Sequence, residues 1–224
     1  MKRLKGFTLT ELMVALAVIG ILTAVVTPAV IRIRPNKIKM MTKKAYYTVE
    51  NIVSNMINNT NQYQDYSDID EKVMLGFDDV ETEAMVKGVA VSGNTKFATI
   101  FASKLNTKED CTSASNIMTC NTTDGMTWYL PETDFGGEDG TSGTNSTCSN
   151  KYCYTTMYVD VNGSSTEPNC RQNGKDYAGT NCTGSADDFD TFAIDIYEDG
   201  TMRINSTDSE AAKYIQIDTK VSGN

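Results

Sequence analysis

The sequence predicts an α+β fold in which a long N-terminal helix, membrane-spanning and then amphipathic, packs on a small antiparallel β-sheet with disulfide-bonded loops. Three observations support this prediction. Residues Phe7 to Ile31 form an apolar run that is long enough to cross a bilayer as a helix. An amphipathic helical pattern follows it. The rest of the chain contains alternating strand patterns together with all six cysteines.

The charge of the chain is unevenly distributed along its 224 residues. Of the 20 basic and 29 acidic residues, nine basic residues and one acid lie at or before Lys44, which leaves 11 basic and 28 acidic residues, a charge of −17, beyond it. Because an acidic surface repels phosphate, we expect no nucleic-acid binding. The sequence contains no histidine, which excludes Ser-His-Asp and Cys-His catalysis and histidine-based metal sites.

The apolar run resembles a retained segment more than a disposable signal peptide. Lys2, Arg3 and Lys5 precede it, so the N-terminus is expected to stay cytoplasmic and the remainder to be exported. The run exceeds the usual signal core of about 7–15 residues. It also contains Glu11, and a carboxylate costs about 2.5–3.5 kcal/mol near the bilayer centre and less near an end. The alternative that stays open is a secreted, disulfide-bonded binding module with a conventional signal peptide.

The stretch Gly6-Phe7-Thr8-Leu9-Thr10-Glu11-Leu12 resembles the class III signal of type IV pilins and of the pseudopilins of type II secretion systems. The resemblance covers about the first 35 residues, including Pro28. It implies that a prepilin peptidase cleaves after Gly6 and methylates Phe7. The helix then anchors the subunit in the bacterial inner membrane as a single pass and later forms the filament core, while the head is exported to the periplasm or the cell surface.

The resemblance also implies the partners and the role of the chain. Other pilin or pseudopilin subunits, the peptidase, the membrane and an inner-membrane assembly platform are the expected partners. The chain is expected to be a structural subunit and not an enzyme, and the choice between pilus and pseudopilus stays open. Cleavage creates an ammonium group at Phe7, with which Glu11 of a neighbouring subunit can pair. Because a paired charge in an apolar core costs less than an unpaired one, Glu11 is expected to fix the register of assembly.

The predicted organisation is a cleaved leader at 1–6, a transmembrane and filament-core helix at 7–35, and an exported head at 36–224. Pro28 and Pro35 interrupt the helical hydrogen-bond ladder, so we expect a loss of helicity between them, and Asn36 can cap a restarted helix. From Lys37 to about residue 63, apolar residues recur every three or four positions and predict a helix that faces the core. They are Ile38, Met41, Ala45, Val49, Ile52 and Met56.

The head is predicted to combine a short helix with a sheet of three or four antiparallel strands. Thr95 to Leu105 is typical of an amphipathic helix, whereas Met126 to Leu130 and Tyr154 to Val161 are typical of strands. Apolar residues alternate again from Phe192 to Ile204 on both sides of Asp199-Gly200, which predicts a hairpin.

The cysteines lie in the exported part of the chain, where oxidation favours disulfides. We expect the local pairs Cys111–Cys120, Cys148–Cys153 and Cys170–Cys182. A zinc site is the alternative, but the sequence contains no pair of C-x2-C motifs.

A group of oxygen-bearing residues follows the second predicted strand. Asp160 and Asn162, together with Asp187, Asp188 and Asp190, have the ligand chemistry that calcium prefers. The spacing is not that of an EF-hand, and Asp160-Val161-Asn162-Gly163 is also an ordinary turn sequence. The turn is the favoured interpretation, so no cofactor is predicted and calcium is left as an open alternative.

Overall fold

The chain divides into two compact units, Met1–Lys37 and Ile38–Asn224. The first unit contains helix α1, and the second contains the β-sheet and the remaining helices. The structure, a computed structural model, describes residues 9–32, 37–63, 76–77, 83–132, 135, 154–182 and 189–219.

Helix α1 spans Leu9–Arg32 and has 24 residues. It continues through Pro28, so the predicted interruption at that proline is wrong. A proline removes a single donor from the ladder, and the flanking residues here remain helical. Pro35 and Asn36, the expected break and cap, lie outside the described residues, so a continuous long helix is not confirmed. Among the described residues, no helix combines the length and the apolar character that a membrane crossing requires.

Helix α2 spans Lys37–Ile57 and confirms the predicted amphipathic helix. Ala45, Val49 and Met56 are fully buried in the core. The helix ends at Ile57, earlier than predicted, because a run of asparagines follows. The side chain of Asn58 donates to the carbonyl of Ser54 at 2.7 Å, and such local side-chain bonds compete with helix continuation.

The head contains a six-stranded antiparallel sheet in which each strand pairs with its neighbours in sequence. Its larger size relative to the prediction comes from its first two strands, which are short and have no clear apolar alternation. The predicted strands near 126, 154 and 192–204 are confirmed. The strands are β3 (Thr112–Ala114), β4 (Ile117–Asn121), β5 (Thr127–Pro131), β6 (Tyr154–Asp160), β7 (Thr191–Tyr197) and β8 (Met202–Ile204).

A separate two-stranded hairpin precedes the sheet. Its strands are β1 (Ala84–Val86) and β2 (Val89–Val91). Lys87 and Gly88 form the turn with φ of 50° and 85°, the left-handed conformation that two-residue hairpin turns require. A short 3-10 turn, Gly93–Thr95, then leads into the predicted helix α3, Lys96–Lys104.

The core lies between helices α2 and α3 and one face of the sheet. Trp128, Met157 and Ile194 from three adjacent strands are almost fully buried. Aromatic side chains fill the space towards α3, with the ring centroid of Phe97 5.1 Å from that of Phe135 and 5.2 Å from that of Phe77. Such edge-on pairs add about 0.5–1.5 kcal/mol each beyond the burial of their area.

Among the described residues of the head, two disulfides stabilise the loops. Cys111–Cys120 connects the residue before β3 to β4, and Cys170–Cys182 closes a loop between β6 and β7. These are two of the three expected pairs. The third, Cys148–Cys153, lies outside the described residues and stays a prediction.

A last helix, α4 (Ser209–Thr219), was not predicted from the sequence. It buries Ala211 and Ile215, while the partly buried Tyr214 packs against the core and stacks on Phe189. The Lys39 ammonium of α2 lies 5.7 Å from the Tyr214 ring centroid, so α4 and α2 are close together.

Candidate functional site

Glu11 lies in the first turn of α1. The unpaired backbone N–H groups of a helix start stabilise a negative charge at this position. Glu11 is exposed, and so are the apolar side chains from Leu9 to Ile21. From Leu9 to Ile21 the helix therefore presents one carboxylate on a surface that is otherwise almost wholly apolar.

The apolar side chains of α1 define the environment that this helix needs. Eight large ones between Leu9 and Ile21 each expose 50–77% of their surface. Full burial of such a side chain contributes about 1.5–3 kcal/mol, so together these residues favour an apolar environment by on the order of 10 kcal/mol. They are Leu9, Leu12, Met13, Val14, Leu16, Val18, Ile19 and Ile21.

Asp160 and Asp190, two of the predicted calcium ligands, are close together and almost fully buried. Asp160 ends β6, and its Oδ1 accepts hydrogen bonds from the backbone N–H groups of Asn162 at 3.1 Å and Gly163 at 2.9 Å. Asp190 precedes β7 and accepts from the backbone N–H groups of Cys170 at 2.8 Å and Asn169 at 3.1 Å. Both carboxylates therefore organise backbone turns.

The remaining oxygen of Asp160 faces the side-chain amide of Asn169. In the amide orientation that satisfies both groups, Asn169 donates to Asp160 Oδ2 at 2.8 Å and to the carbonyl of Thr166 at 3.3 Å. This arrangement favours the turn interpretation of Asp160-Val161-Asn162-Gly163. Asp187 and Asp188 lie outside the described residues, and among the described ones no cluster of three or more acidic or cysteine side chains suits a metal ion.

The buried position of Asp160 changes its acidity. Burial raises the pKa of its carboxyl from 3.8 to about 7, and the nearby charges of Asp190 and Glu167 act in the same direction. The backbone N–H groups of Asn162 and Gly163 oppose this rise. Asp160 is therefore a group whose proton is gained and lost near neutral pH.

A second polar network, which the sequence analysis missed, fixes the same loop to α4. The guanidinium of Arg171 donates to Asp208 Oδ2 from Nε at 3.2 Å and from Nη2 at 3.0 Å. The same oxygen accepts the backbone N–H of Ala193 at 2.8 Å. Burial raises the pKa of Asp208, and Arg171 opposes that rise. Because 37 residues separate the ion pair in sequence, no local pattern signals it.

Gly6 and Phe7 lie outside the described residues, so their part of the site rests on sequence. Residues 1–27 match the family model of the prokaryotic N-terminal methylation motif. This is the prepilin-type cleavage motif of type IV pilins and pseudopilins, and it confirms the resemblance found from Gly6 to Leu12. No curated protein and no solved structure matches the chain.

The methylation motif includes Glu11 and most of the exposed apolar surface of α1. The match ends at residue 27, so it gives no information about the folded head. The turn at Asp160 and the Arg171–Asp208 ion pair stabilise that head, and both lie outside the matched segment.

Proposed function

We propose that the chain is a structural subunit of a type II secretion pseudopilus or a type IV pilus. Prepilin peptidase cleaves it after Gly6 and methylates Phe7, and it assembles through its N-terminal helix. The observation that carries this proposal is the methylation motif at residues 1–27. In this role the chain is a substrate of an enzyme and has a structural, non-catalytic function.

The geometry of α1 supports assembly as the role of the helix. An exposed apolar surface has two suitable environments, the hydrocarbon of a bilayer and the packed helices of other subunits, and a filament subunit needs both in succession. We propose that the inner membrane holds the helix before assembly, with the head exported, and that an assembly platform transfers it into the filament.

Glu11 selects the axial register of assembly in this proposal. In an apolar bundle an unpaired carboxylate is strongly unfavourable, and pairing with an ammonium group offsets much of its desolvation. The new N-terminal ammonium at Phe7 of a neighbouring subunit provides that partner. Apolar helices slide past one another with little change in energy, so a single buried ion pair selects one axial register, as a lone polar residue does in a coiled coil.

The experiment that tests the proposal is intact mass and N-terminal sequencing of the mature protein from its native host. We expect a chain that starts at Phe7 and carries one methyl group. A larger side chain at the cleavage site is expected to block processing, so Gly6→Val should accumulate as full-length precursor while Gly6→Ala, the matched small-residue control, matures.

A mature chain that begins beyond Pro28 would instead identify a conventional signal peptide and a secreted binding module. Normal maturation of Gly6→Val would also contradict the proposal. Fractionation then separates the two filaments that the proposal includes. A subunit that can be sheared from the cell surface belongs to a pilus, and one that stays in the periplasmic fraction belongs to a pseudopilus.

A further inference from the structure

The outward face of α2 has an apolar stripe with lysines on both sides of it. Met40 and Tyr47 expose 55% and 38% of their surface, and their spacing of seven residues places both on one stripe of the helix. Lysines stand three positions before Met40 and three and four positions after it, so they border the stripe. They are Lys37, Lys43 and Lys44. Such a pattern is typical of a helix face that meets a membrane surface.

The lysines do not serve the stability of α2 itself. Lys37 and Lys39 lie in the first turn, which contains no acid, and the helix dipole disfavours positive charge there. The helix sequence contains four lysines and one acid. That acid, Glu50, is six or more positions from each lysine, whereas intrahelical ion pairs need a spacing of three or four. The positive charge therefore indicates a partner outside the helix.

The face stays positive when its described acidic neighbours are counted. The Lys44 ammonium binds Asp124 at 2.9 Å, and because both side chains are exposed, the pair is weak. The Lys39 ammonium lies 5.7 Å from the ring centroid of Tyr214, a contact that leaves its charge unchanged. Four lysines against Asp124 and Glu50 give a balance of 4 − 2 = +2. A surface of this sign attracts anionic groups.

Chain continuity keeps the start of α2 close to the end of the apolar helix. Helix α1 ends at Arg32 and α2 begins at Lys37, so the Cα atoms of these two residues are at most about 18 Å apart. From residue 32 to residue 44 the sequence has six basic residues and no acid. Clusters of about four to eight basic residues beside a membrane segment attract anionic lipid headgroups. The charges and their position therefore fit a bilayer surface.

A second copy of the chain is the rival partner, and the described residues favour it less. Acids that a neighbouring head would need at its surface are almost fully buried inside it. They include Asp160, Asp190, Asp195 and Asp208. Lipid, by contrast, is present from the moment of insertion, and an N-terminal anchor raises its effective concentration at the start of α2.

We propose that the face of α2 formed by Met40, Tyr47 and the flanking lysines lies on the exported surface of the inner membrane and binds the phosphate groups of anionic lipids before assembly. Met40 and Tyr47 reach the boundary between headgroups and acyl chains, where tyrosine is enriched. The lysines extend to the headgroups. This inference rests on the proposed function, because it takes the membrane to hold the chain before it joins a filament.

The test uses the full mature chain, purified from cells that process it and reconstituted in lipid vesicles. A photoreactive benzoyl-phenylalanine replaces Met40, and mass spectrometry after irradiation identifies what it is linked to. Vesicles of phosphatidylcholine are compared with vesicles that also contain phosphatidylglycerol, an anionic lipid. We expect lipid adducts that are about threefold or more abundant with phosphatidylglycerol. Equal yields in both vesicles, links to a second copy alone, or no product would overturn the proposal.

The same replacement at Met85 is the matched control. Met85 is also a methionine, its exposure of 62% is close to the 55% of Met40, and it lies on the hairpin of β1 and β2. Because this hairpin has a single lysine, Lys87, between its strands, lipid adducts at Met85 should be several-fold fewer. Equal lipid adducts at the two positions would contradict an oriented contact through α2.

Neutralisation of one lysine tests the electrostatic part. A basic residue near an anionic surface changes binding by about fivefold, so Lys37→Gln is expected to lower the adduct yield at Met40 by roughly three- to fivefold, whereas Lys37→Arg retains it. Lys175→Gln removes the same charge from an exposed loop position and should leave the yield unchanged. Equal losses in Lys37→Gln and Lys175→Gln would contradict the role of the α2 face.

Two further readouts separate this contact from processing and anchoring. Intact mass shows whether the leader has been removed, and sedimentation of the vesicles after an alkaline wash shows whether the chain stays in the bilayer. A chain that keeps its leader or washes off would refute the proposed function and this inference with it. A processed chain that stays in the bilayer but forms no lipid adduct at Met40 would refute only the membrane contact of α2.

Discussion

Replacement of Asp160 by asparagine tests the electrostatics of the buried turn. Asparagine retains an oxygen that accepts the two backbone N–H groups of Asn162 and Gly163, now bound by Asp160 at 3.1 and 2.9 Å. The new amide group would face Asn169, whose own amide can rotate to present its oxygen. The substitution therefore removes a buried negative charge beside Asp190 and preserves the two backbone hydrogen bonds, at the cost of the long bond from Asn169 to the carbonyl of Thr166.

The pKa of Asp160 is about 7 in the folded chain and 3.8 ordinarily, so folding stability from this group falls as the pH rises. Between these values the folded state retains a proton that the unfolded state releases. Stability from this group is fully present below about pH 4 and is lost as the pH rises through 7. A difference of about three units corresponds to roughly 4 kcal/mol, and relaxation around a buried charge lowers the expected loss to about 2 kcal/mol.

The assay is thermal unfolding of residues 38–224, the second compact unit, at several pH values between 4 and 8. For a domain of this size about 2 kcal/mol corresponds to a Tm change of about 4–8 °C, so the unaltered fragment should lose about that much more than Asp160→Asn. Asp110→Asn, at an exposed position, is the matched control and should follow the unaltered fragment. The reasoning fails if Asp160→Asn has the same pH profile as the unaltered fragment, or is clearly less stable at pH 8.

Three other substitutions, one of them with a matched control, test the remaining features. Glu11→Ala should leave the head folded and the leader processed but reduce incorporation into filaments, measured as the assembled fraction; normal filaments would remove the register hypothesis. Arg171→Ala leaves the buried Asp208 unpaired, so denaturant unfolding should show a loss of about 3–5 kcal/mol, and a loss below about 1 kcal/mol would show that the pair is replaceable. Gly163→Ala, with φ of 87° and an added Cβ 2.5 Å from the carbonyl oxygen of Gly125, should cost about 2–3 kcal/mol. Gly125→Ala has a similar φ but open space, and it should cost only about 1 kcal/mol; equal costs would exclude the clash.

The elements that were predicted correctly have strong periodic signals. The stripe from Ile38 to Met56 identified α2, and the alternation of Thr155, Met157, Val159 and Val161, all almost fully buried, identified β6. By contrast, β3 has only three exposed residues, and its pairing depends on the turn and the disulfide next to it. Helix α4 had a detectable signal in Asp208 and Ser209 followed by the spacing of Ala211, Tyr214 and Ile215.

The candidate sites also differ in whether a local sequence pattern reveals them. The cleavage motif is a local pattern that the sequence alone reveals at residues 1–27, and the roles of Gly6, Phe7 and Glu11 within it stay predictions. The neighbours of Asp160 and Arg171 come from distant parts of the chain, because Asp190 lies just before β7 and Asp208 just before α4. Pairing of β6 with β7 brings Asp160 next to Asp190, and a bond from the backbone N–H of Ala193 holds Asp208. Both arrangements became visible only with the fold.

The loop between β6 and β7 is anchored near Cys170 and carries an exposed turn at residues 178–181. A disulfide, an ion pair and a buried carboxylate hold Cys170, Arg171 and Asn169, whereas the residues from 178 to 181 are exposed. Asp176 and Thr180 hold this turn through hydrogen bonds of 2.7 and 2.9 Å, and its exposed side chains contribute little buried area. Exposed tips of this kind tolerate insertions, so an epitope placed after Gly179 offers a way to label the head while its base remains intact.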